Sequence, residues 1–138
     1  MKFVSHHPNF QLPTKGSPAA AGMDIYMPEH GAVYGSVNMK VGLGFSAKVP
    51  DGYVALLLPR SGAGSKGLEL MNTCGVIDSD YTGEWMATLR DKSGKGIEWK
   101  PQDRILQFLV IPVLSVYPEL VDSLEVTVRG SGGFGSTG

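Results

Sequence analysis

Charge is scarce in this chain, and neither sign dominates. Of 138 residues 18% are charged, with 12 Lys and Arg against 13 Asp and Glu, for a formal net charge of -1. A basic tail for nucleic acid and a polybasic membrane anchor are therefore not expected. A small basic site for a phosphate-bearing ligand stays open. Cysteine is nearly missing: Cys74 stands alone, which excludes an intrachain disulfide and is compatible with a reducing compartment. No apolar run reaches the length of a membrane span, and the opening Met1-Lys2-Phe3-Val4-Ser5-His6-His7-Pro8 lacks the apolar core of a secretory signal. The expectation is a soluble cytoplasmic protein that binds neither membrane nor nucleic acid. There is no internal repeat and no long 3.6-residue periodicity, so helices should be few.

Glycine, by contrast, is abundant. The chain has 19, where average usage gives roughly ten, and this favours many turns and short strands. Its length fits one domain with a real core. Residues 1–20 carry Pro8, Pro13 and Pro18 and should run extended, anchored by Phe3, Val4 and Leu12. Val33 to Val49 alternates at Val37, Met39, Val41, Leu43 and Phe45, with Gly42 and Gly44 marking a bulge. Pro50-Asp51-Gly52 is a turn. Tyr53 to Leu58 reads as a strand buried on both faces. Trp85 to Leu89 and Ile97 to Trp99 are further strands. Arg104 to Leu114 is the most apolar run and reads as a buried strand. Residues 115–128 suggest two more short strands around Pro118.

Several residues stand out chemically. Asp24 lies between apolar neighbours, where an acid is costly without a partner; it is held by an Arg or by N–H groups, or it serves a site. Pro59-Arg60-Ser61-Gly62-Ala63-Gly64-Ser65-Lys66-Gly67 follows a strand and should open a short helical turn. Its N–H groups, hydroxyl and guanidinium suit an anion, although the P-loop spacing is absent. Asn72 could read a base edge or cap a turn with the same donor and acceptor. Cys74 fits a small buried filler. Gly75-Val76-Ile77-Asp78-Ser79-Asp80-Tyr81-Thr82-Gly83-Glu84 reads as a strand entering a tight hairpin, with Asp78 and Asp80 on one side and Ser79 on the other. A carboxylate at such a bend can orient a water and accept its proton, or simply cap a turn. Gln107, inside the apolar run, is either a satisfied core amide or faces a ligand cavity. His6 and His7 read as solvated edge residues. The end, Arg129 to Gly138, is half glycine and should be mobile. It nonetheless carries an Arg, a Phe and hydroxyls that could clamp a flat phosphorylated ligand. Extended, its ten residues reach at most about 33–36 Å, enough to cross onto a neighbouring subunit.

Five stretches, in order, resemble the five motifs of the trimeric dUTP pyrophosphatases (dUTPases). They are Ala21-Gly22-Met23-Asp24-Ile25, Pro59-Arg60-Ser61-Gly62, Gly75 to Gly83, Asp103-Arg104-Ile105-Leu106-Gln107, and Arg129 to Gly138. Gln102 departs from the Gly common before the fourth motif, and Ala63 and Leu106 vary common positions. The resemblance implies an all-β, jelly-roll-like barrel over residues 1–128 and a closing tail over 129–138. It implies a homotrimer in which the first, second and fourth motifs come from one subunit, the third from the next and the tail from the last.

The implied reaction is hydrolysis of dUTP to dUMP and pyrophosphate by water attack on the α-phosphorus. That chemistry keeps uracil out of DNA and supplies dUMP for thymidylate synthesis. Asp78 matches the residue that takes the water's proton. Arg60, Ser61, Gly62 and Gln107 match groups at the phosphates or the water. Asn72, Gly75, Val76, Ile77 and Met86 belong to the segment whose backbone binds uracil, and Tyr81 to the deoxyribose contact. Arg129, Phe134, Gly135, Ser136 and Thr137 match the tail that stacks on the base and grips the outer phosphates. Asp24 and Arg104 match supporting positions. Mg²⁺ is implied as the cofactor, held by the triphosphate and waters with no direct protein ligand. Two other readings stand beside this one. One is a dCTP deaminase-type enzyme of the same fold; the other is a regulatory module whose tail, ordered by nucleotide, controls an unknown protein partner.

Overall fold

The computed structural model describes residues 1–35 and 37–135. Its strands are β1 (Lys2–Ser5), β2 (Thr14–Lys15), β3 (Met23–Ile25), β4 (Gly31–Val33), β5 (Met39–Lys48), β6 (Tyr53–Pro59), β7 (Leu68–Leu70), β8 (Gly75–Ile77), β9 (Glu84–Asp91), β10 (Ile97–Trp99) and β11 (Leu106–Pro112). One four-residue helix, α1 (Ser61–Gly64), follows β6. A four-stranded sheet runs β1-β5-β9-β7, a five-stranded sheet runs β2-β3-β11-β6-β8, and β10 pairs with β4. Every pairing is antiparallel. The all-β, jelly-roll-like expectation holds.

Alternation explains the two long strands. In β9, Trp85, Ala87 and Leu89 point inward while Met86 and Arg90 are exposed. In β5, Leu43, Phe45 and Ala47 are buried. Trp85 lies between Phe45 at 5.2 Å and Phe108 of the facing sheet at 5.2 Å, edge-on to the latter. These rings lock the two sheets together; truncating one such buried ring typically costs about 3–5 kcal/mol. The expected bulge is present. The β5–β9 register shifts between Gly42 and Ser46, and Gly44 has φ +77. Its N–H donates to Glu84 Oε1 at 3.1 Å.

Four expectations need correction. Gly75–Glu84 is not a paired hairpin: β8 joins β6 in one sheet, and β9 joins β5 and β7 in the other. The turn crosses between sheets because Trp85 must enter the core from the opposite side. Asp78 and Asp80 are also not governed by strand alternation, because β8 ends at Ile77. Residues 115–128 form no strand. Beyond Val113, whose N–H donates to the Gly52 carbonyl at 2.9 Å, the chain leaves the sheets and exposes Leu114, Val116, Tyr117 and Leu120. The apolar pattern suits a strand, yet among the described residues it pairs with no strand of its own chain. The reading of β6 as buried on both faces, and of β11 as a buried strand, holds for their inner faces only. Val54, Leu56, Leu58 and Leu109 are half-buried, and Ile111 is exposed.

Smaller details complete the frame. His6 Nε2 meets Ser46 Oγ at 2.7 Å, and His7 Nε2 meets Glu29 Oε1 at 2.9 Å. Gln102 takes φ +72, the left-handed region that glycine favours. It is held by its N–H to the Met27 carbonyl at 2.8 Å and by its amide to the Asn9 carbonyl at 2.8 Å.

The β9–β10 loop is organised around a buried acid. Asp91 accepts from Ser93 Oγ at 2.6 Å, Ser93 N–H at 2.8 Å and Gly96 N–H at 2.7 Å. The Ser93 hydroxyl first, then the N–H groups of Gly96, Ser93 and Gly35, outweigh burial and hold its carboxyl below the usual range. A depressed folded-state pKa means the ionised form stabilises the fold. That contribution is complete above the unfolded value near 3.8 and disappears as pH falls through the folded value. Asp91→Asn should therefore lower the urea midpoint at pH 7. The gap from the parent should close in a pH series taken below 3.8; a gap independent of pH would rule out the ionised acid as the cause.

Candidate active site

One buried carboxylate gathers the first, second and fourth motifs. Asp24 sits in β3 directly opposite Gln107 of β11, with its side chain only 7% exposed. Its Oδ1 pairs with Arg60 Nε at 2.8 Å and its Oδ2 with Arg104 Nη1 at 3.3 Å. Of the two readings left open for Asp24, the structure favours an acid held by arginines. Two cations on one acid satisfy the burial that a lone carboxylate could not tolerate. Arg60 is tied further, its Nη1 donating to the Arg104 carbonyl at 3.1 Å and its N–H to the Ile105 carbonyl at 2.9 Å. Arg104 lies 5.8 Å from the Tyr26 ring centre.

Gln107 is also fixed. Its Nε2 donates to the Pro59 carbonyl at 3.2 Å. Its Oε1 lies where a side chain at Gly22 would sit, 2.5 Å from an added Cβ. Glycine at 22 thus makes room for the amide. Beside this cluster, α1 presents Ser61 and Gly62 on its first turn, where helix N–H groups lack intrahelical acceptors. A hollow there is lined by Arg60, Ser61, Gly62, Lys66 and Arg104, together with the acids Glu98 and Asp103. It has the donors and positive charge to hold phosphate oxygens. Lys66 was not among the residues singled out from sequence; its place five residues after Ser61, past one helical turn, was the available signal.

The third motif lies elsewhere in the chain. Gly75, Val76 and Ile77 form β8, the edge of the five-stranded sheet. Packing is close at Gly75, where an added Cβ would lie 3.0 Å from Leu57 Cβ and would have to displace it by a few tenths of an ångström. The outer edge of β8 is not paired to β9, and it presents N–H and C=O groups that can read a planar base edge. Asn72 is exposed in the preceding turn, its carbonyl accepting from Cys74 N–H at 2.6 Å. Met86 is exposed on β9. Tyr81 folds back over its own turn, with its hydroxyl donating to the Glu84 carbonyl at 2.8 Å. Asp78, Ser79 and Asp80 together line an open groove of 630 Å³, shared with Tyr53, Val76 and Val113.

The register fixes how far apart these two centres lie. Gln107 is opposite Leu58, and Ile77 is opposite Ala55, so Asp78 falls level with Val54 on the far side of β6. Four residues along β6 are about 13 Å and two strand spacings about 10 Å, so the two backbone positions are separated by about 16 Å. Hydrogen-bond reach is about 3 Å. One chain cannot bring Asp78 and Gln107 to the same atom.

The tail is apart from both. Arg129 Nε donates to the Gly132 carbonyl at 2.9 Å, Phe134 is fully exposed, and Gly135 has φ +90. Ser136 and Thr137 lie outside the described residues. Among the described residues no cluster of three or more His, Cys, Asp or Glu could cage a metal ion.

Comparison with known proteins gives consistent results. The dUTPase family model matches residues 8–138. A deoxyuridine 5'-triphosphate nucleotidohydrolase of Thiobacillus denitrificans is 38% identical over 136 residues, covering 93% of this chain and 90% of that protein. The enzyme of the same name from Dictyoglomus turgidum is 39% identical over 134 residues, covering 92% and 90%. In fold, the Staphylococcus bacteriophage 80alpha dUTPase with dUPNHPP superposes with a TM-score of 0.88 at 22% identity, over 99% of this chain and 97% of that one. The dUTPase of Staphylococcus aureus phage phi11, described with a coordinated structural Mg(II) ion, gives 0.80 at 20% identity, over 91% and 98%.

The Asp24 cluster yields a direct test. Asp24→Ala leaves two guanidinium groups facing one another across a buried gap. Both arginines are partly exposed, at 36% and 43%, and water will relieve part of the repulsion. The loss expected in urea unfolding is roughly 1–3 kcal/mol. An unchanged midpoint would show that the acid does not anchor the cluster.

Proposed function

This chain belongs to the dUTPase family, and from that membership we infer that it is a dUTP diphosphatase, releasing dUMP and pyrophosphate. One observation supports the reading most: Asp24 draws Arg60, Arg104, Ser61 and Gln107 into a single phosphate-binding corner. Family membership favours it over dCTP deamination. The regulatory reading relies on the same tail and is compatible with hydrolysis.

In the proposed mechanism Asp78 orients a water and accepts its proton. The water oxygen bonds to the α-phosphorus while the bond to the α–β bridging oxygen breaks, and the electron pair leaves with pyrophosphate. Carboxylates are weak bases at neutral pH, so positioning supplies most of the effect. Ser61, Gly62 and Gln107 hold the inner phosphates, and Arg60 adds positive charge beside them. Mg²⁺, bound to the triphosphate and water without a direct protein ligand, would neutralise charge on the departing pyrophosphate. Backbone groups from Asn72 to Met86 read uracil, with Gly75, Val76 and Ile77 at the centre. A cytosine would leave those groups mismatched, the strong form of discrimination. Tyr81 packs against deoxyribose and excludes a 2′-hydroxyl. Arg129, Phe134, Gly135, Ser136 and Thr137 close over the bound nucleotide, with Phe134 stacking on the base.

The working form is a homotrimer. The separation of about 16 Å within one chain means that Asp78 must act on a substrate held by another copy. The outer face of the five-stranded sheet supports assembly. Val76, Leu56 and Leu109 lie side by side in register, as do Val54 and Ile111, making an apolar face that its own chain leaves half-covered. The strandless segment 113–128 supports it too, since the apolar arm needs a neighbour's edge. In that assembly residues 1–128 complete the barrel and 129–138 form the lid.

Asp78→Asn should bind a non-hydrolysable dUTP analogue with near-normal affinity while turnover falls by about 10²–10⁴; full activity would exclude Asp78 as the base. Mixing inactive Asp78→Asn with inactive Gln107→Ala after dissociation and reassembly should restore part of the activity, because some sites then carry both intact groups. Complementation absent from a verified mixed trimer would sink the shared site.

A further inference from the structure

We propose that Lys48 is a positioning residue of the catalytic turn, a role resting on the assignment of Asp78 as the base. Lys48 ends β5, 31 positions from its main target, and its Nζ donates to the Ser79 carbonyl at 2.7 Å. The same ammonium pairs with Asp51 Oδ1 at 3.0 Å. It thereby staples the turn between β8 and β9 to the turn between β5 and β6.

The turn has little else to hold it. Its other hydrogen bonds among the described residues are local: Tyr81 N–H to the Asp78 carbonyl at 3.2 Å and Tyr81 hydroxyl to the Glu84 carbonyl at 2.8 Å. Lys48 is thus the one polar tie between residues 78–83 and another part of the barrel, among the described residues. Its acceptor belongs to Ser79, between Asp78 and Asp80. Fixing that carbonyl fixes the Ser79–Asp80 peptide plane, one residue beyond Asp78, and so limits how far the turn that carries the Asp78 carboxylate can shift. Displacements near 1 Å cost on the order of 10²-fold in rate, so a single strong tie matters more to turnover than to folding. The Lys48 side chain is 47% exposed and that of Asp51 88%, where ion pairs add little to stability. The Asp51 turn also holds the start of the apolar arm, through Gly52 and Val113.

The test compares Lys48→Met and Lys48→Arg with Asp78→Asn in the same dUTPase assay. Lys48→Met should lower kcat about 10- to 100-fold, with KM changed less than about threefold and Tm shifted by less than about 2 °C. Lys48→Arg keeps a donor for the Ser79 carbonyl and should recover most of kcat. A Lys48→Met enzyme with normal kcat, or with only KM raised, overturns the positioning role. So does a loss of kcat that Lys48→Arg fails to recover, or one matched by a large fall in Tm. The parallel Asp78→Asn variant separates the two claims. If it retains turnover, the assignment of the base fails and this inference with it. If it is inactive while Lys48→Met is fully active, this inference alone fails.

Discussion

Strand β6 is the constraint on which the site depends. It pairs with β11 on one edge and β8 on the other, and its length holds the phosphate corner and the carboxylate turn at opposite ends. Neither could move closer without breaking the ladder that carries the core residues Ala55 and Leu57. A one-residue slip would turn those side chains to the outer face. The distance between the two half-sites is thus as strongly specified as the fold itself. In the proposed trimer each folded chain would supply two half-sites, and association would bring complementary halves together.

The half-sites differ in how firmly they are built. The phosphate corner is set before any ligand arrives: Asp24 holds Arg60 and Arg104, and Gln107 is seated against Gly22 and Pro59. Charge arranged in advance costs no reorganisation when the transition state forms. The carboxylate turn is lighter, closed by Tyr81 and tied outward through Lys48. The tail is lightest of all, with glycines at 130, 132, 133 and 135, and in the proposed mechanism it closes over bound nucleotide. This gradient matches what each part must do. Phosphate groups are common to all nucleotides, while closure should follow only when the correct base and sugar are in place.

Much of this was legible in residues that act locally. Gly42 and Gly44 announced the bulge, and the Arg-Ser-Gly stretch after an apolar strand announced the short helix. An acid between apolar neighbours announced a buried Asp24 in need of a partner. What sequence left obscure was decided at a distance. Nothing within Gly75–Glu84 says that the strand after the turn joins the other sheet; that follows from Trp85 meeting Phe45 and Phe108. Residues 115–128 carry a strand pattern, but a strand exists only where an edge accepts it. Gln102 showed no local sign of its left-handed backbone beyond its departure from the common glycine. Lys48 and Ser79 are joined only by the packing of two turns.

The apolar arm presents a physical problem that its own composition helps to solve. Leu114, Val116, Tyr117, Leu120 and Val126 are almost wholly exposed on one chain, from 74% to 100%. Burying five such side chains is worth about 1.5–3 kcal/mol each, or roughly 10 kcal/mol in all before the costs of ordering and association. That is enough to drive assembly, and equally enough to drive aggregation. Glu119, Asp122 and Glu125 punctuate the same segment, which has no Lys or Arg between Val113 and Val128. Two arms laid side by side would bring like charges together, whereas an arm on a barrel edge can turn its acids to water. Charges placed so oppose the wrong association while leaving the right one open. In the proposed trimer the segment left uncovered on a single chain would lie on another chain's barrel, and the same association would join the halves of the site.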